Sequence, residues 1–221
     1  MRPKIMLAMT GIAALLLARN LYVILQVLPD EEHQNAAYRI MFFHVPDAWT
    51  AFLCFLAGMI ASVLYLAKND LRYDGFAASI TEVGLAFGAA NLVTGMIWGR
   101  VIWGVWWAWD VRLTTMLVGC LIYAGYLMLR RAVEEPGERA KMSAVVSIFA
   151  FADVPIIFFS IRWWQHQQHP EPAKLPPEWW AALFMNWIPL LLLAGVLLML
   201  RMEQERIQRQ VDGLRRTIHA F

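Results

Sequence analysis

Apolar residues run along this chain in six long blocks, near residues 5–28, 40–67, 76–98, 113–130, 142–162 and 180–200, with short polar stretches between them. None of the blocks alternates polar and apolar positions as a barrel strand does, and each approaches or exceeds the roughly 20 residues that cross a bilayer as a helix. Lipid offers the backbone no hydrogen-bond partner, so blocks of this length are expected as helices, which close their bonds internally. Pro29, Pro136, Pro170, Pro172, Pro176 and Pro177 fall in the connections, where helix punctuation belongs. The pattern predicts an all-α polytopic membrane protein. Residues 1–200 form a bundle of six transmembrane helices, and residues 201–221 a polar, charge-mixed tail. Arg2 and Lys4 precede the first block as in a signal peptide, but the block continues through Leu28, which fits an uncleaved first span.

Composition agrees: of 221 residues, 60% are hydrophobic and 16% charged. The formal net charge of +2 leaves no basic excess for nucleic acid. Cys54 and Cys120 lie inside apolar blocks and read as small buried residues. No Cys-x-x-Cys-His attachment sequence and no phosphate-binding Gly-rich loop occurs, which argues against a covalent c-type cytochrome and a P-loop ATPase.

Lysine and arginine set the expected orientation. One set of block ends carries Arg2, Lys4, Lys68, Arg72, Arg130, Arg131, Arg139, Lys141, Arg201, Arg206, Arg209, Arg215 and Arg216, whereas the other carries only Arg39, Arg100, Arg112, Arg162 and Lys174. The positive-inside rule therefore puts both termini in the cytoplasm. Residues 29–39, 99–112 and 163–179 are then the outer connections. Arg19, Glu82 and Asp153 lie within blocks, where charge is costly and faces the bundle interior with a partner. Arg19 and Asp153 share a depth and are expected to pair; the alternative is a snorkelling Arg19 and a protonated or hydroxyl-bonded Asp153.

With sides assigned, the 11 tryptophans become informative. Trp98, Trp103, Trp106, Trp107 and Trp109 crowd the second outer connection, Trp163, Trp164, Trp179 and Trp180 flank the third, and Trp49 and Trp187 lie in the outer parts of spans two and six. An aromatic belt decorates both interfaces, so it accounts for some of these but not for an asymmetry of this size. A flat apolar indole with one N–H donor suits a planar aromatic ligand. Arg100, Arg112 and Asp110 add charge at the edges, so a porphyrin with its propionates fits the cluster.

Histidine is the remaining test of that reading. His33, His44, His166 and His169 lie on the outer side, and His219 stands alone in the tail. A lone His44, in Phe43-His44-Val45-Pro46, would ordinarily be an interface residue. His166 and His169 at the same membrane level change that, because two imidazoles from different connections could hold a heme iron from both faces. The spacing does not favour tetrahedral zinc.

The run from Trp98 to Thr114 resembles the tryptophan-rich WWD signature of heme-handling proteins, with its core on Trp103, Gly104, Trp107, Trp109 and Asp110. Together with six spans, the Phe-His-Val-Pro element and Ser160-Ile161-Arg162-Trp163-Trp164 followed by His-Pro, it resembles the heme exporter protein C family of bacterial cytochrome c maturation, from about Tyr38 to Pro170. The resemblance implies a heme-handling subunit of the bacterial inner membrane rather than an enzyme. Heme b would be presented on the periplasmic face and passed to a membrane-anchored heme chaperone, with the ATPase and permease subunits of an ABC transporter as partners. It also implies axial ligation by His44 and by a second histidine, expected at His169 with His166 in reserve. The family's usual position for that second ligand is Gln168 here. Two other classes compete with this reading. A membrane cytochrome b would carry histidines deep inside its spans, and a heme permease would show more intramembrane polar groups and broken helices.

Overall fold

The computed structural model describes residues 2–163 and 175–219. Among them are seven helices: α1 (Arg2–Tyr22), α2 (Met41–Lys68), α3 (Leu71–Ile102), α4 (Val111–Ala132), α5 (Pro136–Phe151), α6 (Asp153–Trp163) and α7 (Pro177–His219). A wider π-helical turn over Val23–Val27 extends α1, and a 3₁₀ turn over Ala36–Ile40 leads into α2. Six helical stretches among the described residues are long and apolar enough to cross a membrane, as the hydrophobic blocks predict.

The fifth stretch is broken. α5 stops at Phe151, and α6 restarts at Asp153 with Pro155 in its first turn. Proline has no N–H for the carbonyl four residues back and its ring crowds that carbonyl, which weakens the turn and favours a break there. The expectation of spans without clear breaks fails at this point.

α2 and α3 form a hairpin whose turn is two residues long. Asn69 adopts φ 53° to end α2, and the Asp70 side chain accepts a 2.9 Å bond from the Arg72 N–H to start α3. Their close approach depends on a small residue: a Cβ on Gly84 would stand 2.8 Å from that of Cys54. In lipid, packing of this kind replaces the hydrophobic drive between helices. Phe55 and Tyr123 stack at 3.7 Å to join α4 to the core, and α5 and α7 also pack on α2 while α1 lies against α7. Cys54 and Cys120 are both buried as free thiols.

The end of the bundle opposite the tryptophans is tied by charge. Arg130 on α4 holds Asp74 on α3 through two bonds of 2.5 and 3.0 Å, both residues buried, and lies 4.0 Å from Glu205 on α7. Arg201 of α7 pairs with Glu82, which gives that acid its partner. Thus α7 continues past Arg201 without interruption and remains attached to α3 and α4.

Arg19 and Asp153 do not meet. Arg19 donates to the Asn20 side chain at 3.0 Å. Asp153 lies against α4, where a Cβ on Gly119 would be 2.5 Å from its Oδ2. Equal depth does not imply a shared face: α1 packs at the edge on α7, whereas α6 packs on α4.

Candidate functional site

His44 stands in the first turn of α2 and points at α3. Its Nδ1 lies 3.0 Å from Thr94 Oγ1 and 3.3 Å from Asn91 Nδ2, and Asn91 Nδ2 also donates to the His44 carbonyl at 2.8 Å. The Thr94 hydroxyl donates to the carbonyls of Ala90 and Asn91, so toward His44 it acts as acceptor. That assignment puts the imidazole proton on Nδ1 and the lone pair on Nε2. Asn91 is 6% exposed, and Gly95 lies one turn on with its Cα against the ring: a Cβ there would be 3.1 Å from His44 Cε1 and 3.1 Å from Leu113 Cδ2. Gly95 therefore brings His44 and the first turn of α4 to the same place.

The tryptophan-rich connection links α3 to α4 across that place. Asp110 caps α4, accepting from the N–H groups of Arg112 and Leu113 at 3.0 and 3.2 Å; a carboxylate at a helix N-terminus meets unpaired N–H groups and the positive end of the dipole. The α3 end is capped by a bond from Trp103 N–H to the Gly99 carbonyl at 2.8 Å, and Gly104 follows at φ +76°, a turn that a side chain would strain. Arg100 donates to the Gly104 carbonyl and stabilises that turn.

The rings divide by exposure. Trp103 and Trp107 pack against the hydrophobic core, whereas Trp106 and Trp109 are 57% and 80% exposed. Trp98 meets Trp103 edge to face at 4.9 Å, and its Nε1 donates to Gln34 at 2.8 Å, joining the first connection to the second. Trp107 meets Trp109 edge to face at 5.7 Å. The Trp107 Nε1 is buried and has no hydrogen-bond partner among the described residues. An unsatisfied buried donor of this kind marks a place for a ligand or an ordered water.

From α4, Arg112 reaches α6 and donates to the Phe158 carbonyl at 3.2 Å. Beyond Phe158, Trp163 stacks on Phe159 at 5.7 Å. Trp164, His166 and His169 lie outside the described residues. Elsewhere at this end, Trp49 packs edge to face on Trp187 at 5.1 Å, Trp187 donates to Thr50 at 3.1 Å, and Trp179 lies 5.0 Å from Tyr38.

The structure thus brings His44 together with α4's start, and places Trp103, Trp106, Trp107, Trp109 and Asp110 on the connection, with Trp98 and Arg100 at the end of α3 and Arg112 at the start of α4. Sequence reasoning missed Asn91, Thr94 and Gly95. A signal was present: Asn91 and Thr94 are polar residues three apart within an apolar span, so they share a helix face.

A multi-span helical bundle with an oriented histidine and a tryptophan-rich connection at one end defines a class of polytopic membrane protein with an aromatic-lined candidate site. Within that class the chain belongs to the heme exporter protein C family, which it matches over residues 1–217. It is 34% identical over 206 residues to heme exporter protein C of Bradyrhizobium diazoefficiens, covering 90% of this chain and 78% of that one. The putative cytochrome c biosynthesis ccmC-like mitochondrial protein of Marchantia polymorpha is 33% identical over 160 residues, 72% of this chain and 68% of its own. Heme exporter protein C of Escherichia coli K12 is 29% identical over 182 residues, 79% and 72% respectively.

Proposed function

We propose that this protein receives heme b at its tryptophan-rich end and delivers it to a membrane-anchored heme chaperone during cytochrome c maturation, working beside the ATPase and permease subunits of an ABC transporter. In this reading the termini are cytoplasmic and the tryptophan-rich end faces the periplasm across the bacterial inner membrane. The family membership and the charge asymmetry of the connections support it. Residues 1–200 are read as the membrane domain, with Trp98–Arg112 as its heme platform, and 201–221 as the cytoplasmic tail.

The observation that carries the reading is the seating of His44. Its Nδ1–H is held by the Thr94 hydroxyl and its backbone carbonyl by Asn91, and an outer-shell partner of the first kind fixes a metal-binding histidine's tautomer and raises its basicity. Nε2 is then the ligating atom. The exposed faces of Trp106 and Trp109 and the unsatisfied Trp107 Nε1 suit a large planar ligand. Trp98 and Trp103 back that platform, and Asp110 shapes it through the α4 cap. Arg100 and Arg112 are each anchored to a backbone carbonyl and retain further donors for propionates. The second axial ligand is His169, with His166 in reserve. The heme is cargo, and its iron accepts the two imidazoles; the chain's task is positioning and release rather than catalysis.

The test is an absorption spectrum of the purified full-length protein. Wild type is expected to show low-spin, six-coordinate heme, and His44→Ala to lose most of the bound heme or its low-spin bands. Wild-type heme content and spectrum in His44→Ala would overturn the assignment, and a five-coordinate iron in the native protein would overturn the two-histidine scheme.

A further inference from the structure

Two prolines interrupt membrane-spanning helices near the heme end, and each frees a carbonyl four residues earlier: Pro46 frees that of Phe42 in α2, and Pro189 frees that of Met185 in α7. Both freed carbonyls are taken by asparagines from neighbouring helices. Asn186 Nδ2 donates to the Phe42 carbonyl at 2.6 Å, and Asn20 Nδ2 donates to the Met185 carbonyl at 2.9 Å. The two amides also meet, Asn20 Nδ2 lying 3.5 Å from Asn186 Oδ1, and Arg19 donates to Asn20 Oδ1 at 3.0 Å. Asn186 is 0% exposed and Asn20 4% exposed. The donors run in one direction, from Arg19 through Asn20 and Asn186 to the backbone of α2, which fixes the orientation of both amides.

That relay ends two residues from His44. In water a freed carbonyl would find solvent, but within lipid it needs a donor from the protein, and without one a proline-broken turn has no fixed geometry. The turn in question spans Phe42 to Pro46 and includes His44. We propose that Asn186, backed by Asn20, is a positioning residue for the heme ligand: by holding the Phe42 carbonyl it sets the angle at which the first turn of α2 offers His44 to the site. This rests on His44 being an axial ligand. The same histidine is held from α3 by Thr94 at its ring and by Asn91 at its carbonyl, so α3 fixes the residue itself while α7 fixes the turn that carries it.

The experiment uses the full-length protein in detergent, stripped of heme and titrated with hemin. Asn186→Leu fills the same space without a donor and is expected to weaken hemin affinity about tenfold, the lower range for removing an outer-shell partner, and to raise the high-spin fraction of the spectrum. Pro46→Ala returns an N–H to the Phe42 carbonyl, which then competes with the Asn186 amide for it. It is expected to produce the same weakening, and the double variant no more than either alone. Wild-type affinity and spectrum in Asn186→Leu, or the same loss from Asn186→Leu with and without Pro46, would overturn the proposal. If Asn186→Leu alone does not fold, recovery of folding when Pro46→Ala is added supports action through the Phe42 carbonyl, and no recovery counts against it. His44→Ala in the same titration separates the two levels. If it binds hemin as wild type does, the ligand reading fails; if it loses hemin while Asn186→Leu does not, only the positioning role fails.

Discussion

Gly95 stands against His44 so closely that a methyl group on its Cα would come within 3.1 Å of the imidazole Cε1. A Cβ there fits only if the ring gives way by a few tenths of an ångström. Replacing Gly95 by alanine raises intrinsic helix propensity by about 1 kcal/mol, so the helix itself gains. The ring must nevertheless move, along with Leu113. Gly95→Ala is expected to leave the thermal unfolding midpoint in detergent unchanged or higher while heme content falls several-fold, and Gly95→Leu to abolish heme binding. Unchanged heme in Gly95→Leu would show that His44 is not seated where the ligand binds.

Thr94 holds the same ring through its hydroxyl, and Asn91 holds the His44 carbonyl. Thr94→Val keeps the shape of the side chain and deletes the acceptor for Nδ1. Loss of such a partner commonly costs about tenfold in metal affinity or more, so hemin should bind about tenfold more weakly to Thr94→Val and near normally to Thr94→Ser. Equal binding by the two variants would remove the hydroxyl from the account.

Asp110 can be separated into its cap and its charge. Asn caps a helix about as well as Asp, whereas Ala costs about 1 kcal/mol. Asp110→Asn should therefore keep both stability and heme, and Asp110→Ala should lose about 1 kcal/mol in denaturation and some heme as the start of α4 frays. Loss of heme in Asp110→Asn at unchanged stability would assign the work to the negative charge instead.

At the opposite end, the buried Arg130–Asp74 pair predicts a sharp asymmetry. Removing one partner strands the other charge at a cost of about 3–5 kcal/mol, while replacing both with apolar residues is often near neutral. Asp74→Leu should unfold at markedly lower temperature than wild type in detergent, and Asp74→Leu/Arg130→Leu should recover most of the loss. A double variant less stable than either single one would rule out charge pairing as the dominant contribution.

The six spans were legible because lipid imposes a single length scale and forbids unsatisfied backbone, so hydropathy alone finds them. The tryptophan cluster was legible because it is contiguous in the chain. The seat of His44 was not: Asn91, Thr94 and Gly95 reach it only through the packing of α3 on α2, a relation that sequence separation hides. Arg19 and Asp153 failed for the same reason, since depth can be counted along a helix but facing cannot. Pro155 was visible, yet a proline alone does not say whether a helix breaks, as it does at Ala152, or continues. Pro46 and Pro189 show the opposite outcome, continuous helices whose freed carbonyls are answered by Asn186 and Asn20.

The contact between Arg112 and the Phe158 carbonyl makes α6 and the start of α4 mechanically continuous. Arg112 lies in the first turn of α4, two residues after the Asp110 cap, and Phe158 lies five residues before the end of α6. A displacement at the end of α6 therefore reaches the turn of α4 whose Leu113 meets Gly95.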